Sequence, residues 1–141
     1  MLTNPDDANA LTARIIGCAI HVHRAVGPGL LESVYHRCMM LELTEAGLHS
    51  VSGIAVPLIY RGVQLGAAHY LDVLVEDRVV LEIKSTAAIA PVHTAQLITY
   101  LRLTGKTVGL LINFNVPVLK DGVKRVVNTG SRGIVPFRPR E

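Results

Sequence analysis

The 141-residue chain has no tryptophan, and aromatic residues make up only 4% of it. Proteins that hold single-stranded nucleic acid do so with successive aromatic faces, so an extended stacking platform is not expected. Only two cysteines occur, Cys18 and Cys38, both in apolar stretches of helical period. They read as buried thiols rather than a bridge. No apolar run approaches the roughly 18 residues of a membrane span, and Asp6 and Asp7 come too early for a signal peptide. A cytoplasmic setting with no membrane partner is the expectation. An excess of one charge is lacking too: 14 Lys and Arg stand against 11 Asp and Glu, a net +3. That is too small to argue for nucleic acid by itself. The basic residues do gather late, with Lys120, Lys124, Arg125, Arg132, Arg138 and Arg140 against Asp121 and Glu141. A solvated basic tail over about 128–141 and a phosphate-contacting one both remain open.

What is present is a core. Half the residues are apolar, and this length suits one domain, 1–141. Asn4, Pro5, Asp6 and Asp7 suit the start of a helix, with Leu11, Ile15, Cys18 and Val22 as its apolar stripe. Gly27-Pro28-Gly29 ends it. A second helix is expected from about Leu30 to Ala46, with Leu31, Val34, Cys38 and Leu41 on one stripe and Met39, Met40 and Leu43 beside it. Being apolar over most of its circumference, it should be largely buried. The period then shortens. "VSGIAVPLIY" reads as a strand that Pro57 puts near an edge or bulge. Arg61-Gly62 is a turn. "VQLGAAHYLDVLV" and "RVVLEIKS" form a hairpin around Glu76-Asp77-Arg78. A helix from about Pro91 to Leu103, a buried strand "TVGLLINF" and a short strand "GVKRVVN" complete a mixed sheet with helices packed on it.

The hairpin raises the chemical question. Glu82 and Lys84 interrupt an apolar strand, Val79 to Ile83, and burying an unpaired charge costs several kcal/mol or more. A turn centred near Asp77 sets Asp72 opposite Glu82, with the two carboxylates about 5 Å apart at Cβ. Side chains alternate along a strand, so Lys84 shares a face with Glu82. Facing carboxylates repel and raise one pKa. A divalent cation such as Mg²⁺ relieves that repulsion, taking one or two carboxylates plus waters. It then polarises a phosphoryl oxygen and activates water, with Lys84 orienting that water or balancing developing charge. The spacing alone equally allows a buried charge network without chemistry.

Other polar groups divide less evenly. Glu32, three residues after Gly29, suits a capping box and the helix dipole, and it shares a helix face with Tyr35. His93, Gln96 and Tyr100 fall on one face of the third helix. Their bland reading is a wet helix surface. His21 and His23 are two apart on a helix and point to roughly opposite sides, which argues against a shared metal site. "TGKT" at 104–107 imitates a phosphate loop, but Tyr100 stands where its first glycine belongs, and a helix precedes it.

The blocks "GPGLLESVY", containing Gly29-x-x-Glu32-x-x-Tyr35, "YLDVLVEDRVVLEIKS" and "HTAQLITYLRLTGKTVGLLINF" together resemble the GxxExxY family, assigned to the PD-(D/E)xK nuclease superfamily. The resemblance runs from about Ile15 to Val127. It implies an α/β (α+β) restriction-endonuclease-like core, a mixed sheet whose motif-bearing hairpin is flanked by helices. It implies that Asp72 is the motif's acidic residue and that Glu82 and Lys84 are its (D/E)xK. Glu32 matches the helix glutamate that completes the metal site, and Gln96 and Tyr100 match the helix Gln-x-x-x-Tyr beside it. The metal, Mg²⁺ or Mn²⁺, is then expected on Asp72, Glu82, the Ile83 carbonyl and Glu32. His23 matches a recurrent family histidine without an assigned role. Leu71 replaces the proline usual before the acidic residue.

The expectation is therefore a metal-dependent nuclease acting on nucleic acid, DNA before RNA, working as a homodimer or through a partner protein. The competing expectation is an inactive nucleic-acid- or protein-binding module that kept the fold. The near-neutral charge and the absence of a separate reading domain favour that alternative. An enzyme acting on another phosphate substrate is a third.

Overall fold

The computed structural model describes residues 5–129. Helix α1 spans Pro5–Val26 and α2 spans Glu32–Glu45. Strands β1 (Ser50–Tyr60), β2 (Val63–Val75) and β3 (Val79–Lys84) follow, then α3 (Pro91–Thr104), β4 (Val108–Asn113), a short 3-10 turn (Leu119–Gly122) and β5 (Val123–Val127). The five strands lie in chain order in one sheet. All neighbours are antiparallel except β3 and β4, which α3 joins as a parallel pair. The architecture is α+β, a restriction-endonuclease-like mixed sheet with helices on both faces. Asn4 and the basic residues Arg132, Arg138 and Arg140 lie outside the described residues. Lys120 and Lys124 are exposed, and Arg125 donates to Asn9 Oδ1 at 2.9 Å.

Each face has its own core. On one side, Leu11, Ile15, Cys18 and Val22 of α1 pack with α2 against Val73, Val75, Val79, Leu81, Ile83, Leu110 and Ile112. On the other, Leu97 and Leu101 of α3 cover Leu74, Val80, Leu111 and Val126. Sandwiched between helices, β3 and β4 are buried along nearly their whole length. That is why both read as continuous apolar runs. Both cysteines are free thiols, Cys18 buried and Cys38 half-buried.

The buried stripe of α2 differs from the one its sequence suggested. Tyr35, Met39 and Leu43 face the core, whereas Leu31 is 72% and Leu41 64% exposed. A helix apolar on most sides does not reveal by periodicity which side is covered. The helix also starts at Glu32 after Leu31, without a side-chain cap. Glu32 is thus its first residue and does not close a capping box from Gly29.

The hairpin register is the expected one. Val73 faces Leu81, Leu74 faces Val80 and Val75 faces Val79, which brings Asp72 level with Glu82. Pro57 lies on an edge strand beside register shifts in β1, as a proline without an N–H requires.

Candidate functional site

At Asp72 the β2–β3 ladder stops and side chains take over its hydrogen bonds. The Asp72 N–H donates to Glu82 Oε2 at 2.9 Å. The Ile83 N–H donates to Asp72 Oδ2 at 2.7 Å. Each acidic residue thus satisfies a backbone donor of the opposite strand. The strands part at the level where their charged residues sit, and that gap admits both carboxylates.

Strand β2 also changes face here. Leu71 packs with α3, together with Ile54 and Val56 of β1, whereas Val73, only two residues on, packs with α1 and α2. Strict alternation would put Leu71 and Val73 on one side. The irregularity is shared by the partner strand, where Gly53 holds a φ of 73° between Ser52, paired with Val73, and Ile54, paired with Leu71. A left-handed φ costs glycine little, so the ribbon can twist over at this point.

Glu82 is 4% exposed. Its Oε1 lies 3.3 Å from Nε2 of His69, and His69 stacks on Tyr100 with ring centroids 4.1 Å apart. Burial, and then the neighbouring Asp72 charge, push the Glu82 carboxyl above its ordinary range, against the hydrogen bond from Asp72 and the influence of His69. Burial, and then the Glu82 charge, likewise raise the Tyr100 phenol.

On the opposite side, a cavity of about 430 Å³ is lined by Glu32, Asp72 and Ile83 together with Ser33, His36, Ser52 and Tyr70. Glu32 reaches it from the first turn of α2, where its Oε2 accepts from the Ser85 N–H at 3.4 Å. His36, one turn later, sets its Nε2 3.2 Å from the Asp72 carbonyl and 2.9 Å from Ser52 Oγ. The helix start is anchored from below. Tyr35 is fully buried and stacks on Phe114 at 4.5 Å. Its hydroxyl donates to the Gly27 carbonyl at 2.5 Å and accepts from the Leu30 N–H at 3.1 Å. Gly29, with φ at 92°, lets the chain turn between those contacts. The Gly29-x-x-Glu32-x-x-Tyr35 pattern is therefore a device that fixes where Glu32 enters the cavity.

Lys84 is half-buried and pairs across the sheet with Asn113. Its carbonyl accepts from the Phe114 N–H at 2.9 Å, while among the described residues its ammonium makes no hydrogen bond or ion pair. Asn113 is buried. Its side chain holds both the Thr86 N–H and the Thr86 carbonyl, at 3.1 and 2.9 Å, fixing the strand end that carries the lysine. Gln96 is exposed, and its side chain has no hydrogen-bond partner among the described residues. His93 accepts from the Ala90 N–H and caps α3. His23 is 8% exposed and bonds the Val116 carbonyl at 2.8 Å, a structural tie between α1 and the segment after β4.

The family model of the PD-(D/E)XK nuclease superfamily matches residues 9–126. The chain belongs to that superfamily. No curated protein and no solved structure matches it. PD-(D/E)XK nucleases generally use divalent metals such as Mg²⁺. Among the described residues, no three His, Cys, Asp or Glu groups are arranged to hold a metal ion. The cavity is nonetheless lined by Glu32 and Asp72, whose carboxylates are hard oxygen donors, and by Ile83. One or two carboxylates completed by water is the set Mg²⁺ prefers. The repulsion between Asp72 and Glu82 is what a cation would relieve. The donor set fits the metal, with Glu82 held on the His69 side.

Two residues around this candidate site escaped the sequence reading. His69 stands three residues before Asp72, on the side its alternation denies it. His36 follows the buried Tyr35 and lies one turn after Glu32, a spacing that signals a shared face.

Proposed function

We propose that this PD-(D/E)XK protein is a divalent-metal-dependent nuclease of the GxxExxY branch, acting as a single catalytic unit that hydrolyses DNA. The observation that supports it most is the interlock of Asp72 and Glu82 through each other's strand, with Asp72 opening on the cavity that also receives Glu32. Asp72, Glu32 and the Ile83 carbonyl would hold the cation. When bound, the cation polarises a phosphoryl oxygen and lowers the pKa of a water. Lys84 supplies an ammonium at the strand end to orient the attacking water and to balance charge developing on the phosphoryl group. His69, stacked on Tyr100, holds the buried Glu82 carboxylate in place. Gln96, exposed four residues before Tyr100, contacts water or phosphate at the rim.

The test is cleavage of plasmid, single-stranded DNA and RNA with Mg²⁺ or Mn²⁺. Activity on DNA that disappears in Lys84→Ala and Asp72→Asn supports the reading. No cleavage of any substrate, or cleavage indifferent to both substitutions, defeats it. The inactive-module reading draws support from Glu82, whose two oxygens are already engaged. Mn²⁺ titration separates the two, because a working site loses affinity on Asp72→Asn and a scaffold has none to lose.

A further inference from the structure

We propose that the cavity beside Asp72 accepts one unpaired nucleotide whose base stacks on Tyr70, so that the enzyme prefers single-stranded or frayed DNA to intact duplex. This rests on the nuclease reading above and names the substrate form that the same site takes.

Tyr70 lies two residues from Asp72 and lines the same cavity. The face switch in β2 decides where it points. His69 meets Glu82 and Tyr100 on the α3 side, and Leu71 packs with α3 as well. Tyr70, between them, is turned the other way, toward α2 and the cavity. It is 62% exposed, and its hydroxyl makes no hydrogen bond with a described residue. A large aromatic face left open beside two candidate metal-binding carboxylates has no structural task in the sheet.

The dimensions and chemistry suit one nucleotide. A volume of about 430 Å³ falls within the ~300–1,000 Å³ usual for small-ligand sites. Ser33, His36 and Ser52 line it with hydrogen-bonding groups. In a duplex both faces of each base are covered by its neighbours, so a protein ring reaches a base only where a nucleotide is unstacked. A low aromatic content excludes a long stacking channel, and it does not exclude a single ring at the reacting position. Such a site reads the nucleotide next to the scissile phosphate and leaves the rest of the strand to backbone contacts.

The experiment uses the full chain carrying Lys84→Ala, which keeps the strand intact, with Mn²⁺ and a short single strand containing 2-aminopurine. Anisotropy reads affinity, and quenching of the 2-aminopurine reads stacking. Tyr70→Phe should keep both signals. Tyr70→Ala should lose the quenching and bind about fivefold more weakly or worse, the lower end of what one base–aromatic stack contributes. Tyr60→Ala alters an exposed ring outside the cavity and should change neither. With otherwise wild-type protein, the single strand should be cut faster than the matched duplex. Unchanged binding in Tyr70→Ala, an equal loss in Tyr60→Ala, or faster cutting of duplex overturns the proposal. If no substrate is cleaved yet quenching still depends on Tyr70, the nuclease reading fails while the base pocket stands.

Discussion

Replacing Tyr35 by Phe isolates the two hydrogen bonds that pin the loop before α2. The ring and its stack on Phe114 are kept, and only the hydroxyl goes. The Gly27 carbonyl and the Leu30 N–H then lose their partner. A typical intramolecular hydrogen bond contributes about 1 kcal/mol net, and a buried group left unpaired costs about 1–3 kcal/mol. Leu30 is exposed and Gly27 half-buried, so water recovers part of the loss. The expected destabilisation is about 1–3 kcal/mol in all. With a urea slope of about 1–3 kcal/mol per molar, the midpoint should fall by roughly 1 M without a change in slope. Tyr35→Ala should cost about 3–5 kcal/mol, because it also empties a core site. The loop leads directly into Glu32, so Tyr35→Phe should weaken Mn²⁺ binding as well. Urea unfolding followed by circular dichroism, with Mn²⁺ titration of each variant, measures both effects. A Tyr35→Phe protein that unfolds at the wild-type urea concentration and binds Mn²⁺ normally would refute the reasoning, because the hydroxyl would then anchor nothing.

Three further perturbations test other parts of the structure. His23→Ala leaves the Val116 carbonyl unpaired and opens a hole beside Phe114, and should cost about 2–4 kcal/mol in urea unfolding. Gly122→Ala would put a Cβ 2.1 Å from the Asn113 carbonyl. It should displace the strand end that carries Lys84, visible as a lowered melting temperature and lost cleavage together. Burial, then the Glu42 charge, raise the Cys18 thiol, so the folded protein holds that proton more tightly than the unfolded chain does. The stability this contributes is complete below the unfolded thiol pKa and fades as pH rises through the folded one. Cys18→Ala should therefore flatten the alkaline side of the stability profile, and native Cys18 should react with Ellman's reagent more slowly than Cys38.

Much of the fold was legible because the signals were redundant. The α1 stripe combined helical period with a Gly-Pro-Gly stop. The β2–β3 register followed from a turn whose Glu76 and Asp77 adopt left-handed φ of 54° and 56°. A two-strand register leaves no freedom once its turn is fixed, which is why Asp72 and Glu82 emerged level. The buried side of α2 was illegible for the opposite reason. Several apolar stripes competed there, and the deciding contact, Tyr35 on Phe114, joins residues 79 positions apart. His69 was missed because alternation was assumed to run unbroken through Asp72.

That break explains the site more fully than the motif does. An unbroken β2 would put Leu71 and Val73 on the same side, and either the α3 core or the α1–α2 core would lose a residue. The reversal at Gly53 and Asp72 lets both cores fill. It leaves the strands parted, with two backbone donors that the ladder no longer satisfies. Carboxylates are the acceptors that fill such a gap, being strong and able to take more than one hydrogen bond each. The acids therefore first meet a structural need, which accounts for two adjacent negative charges in an apolar sheet without any metal. Burial first, and the Asp72 charge second, still keep the Glu82 carboxyl raised in that arrangement. Asp72→Asn should accordingly keep the fold, because the amide oxygen can still accept from Ile83, and should lower the Glu82 pKa by removing the neighbouring charge. Carboxyl titration by NMR in the two proteins measures this, and a Glu82 resonance that titrates at the same pH in both would show that burial alone sets its proton affinity.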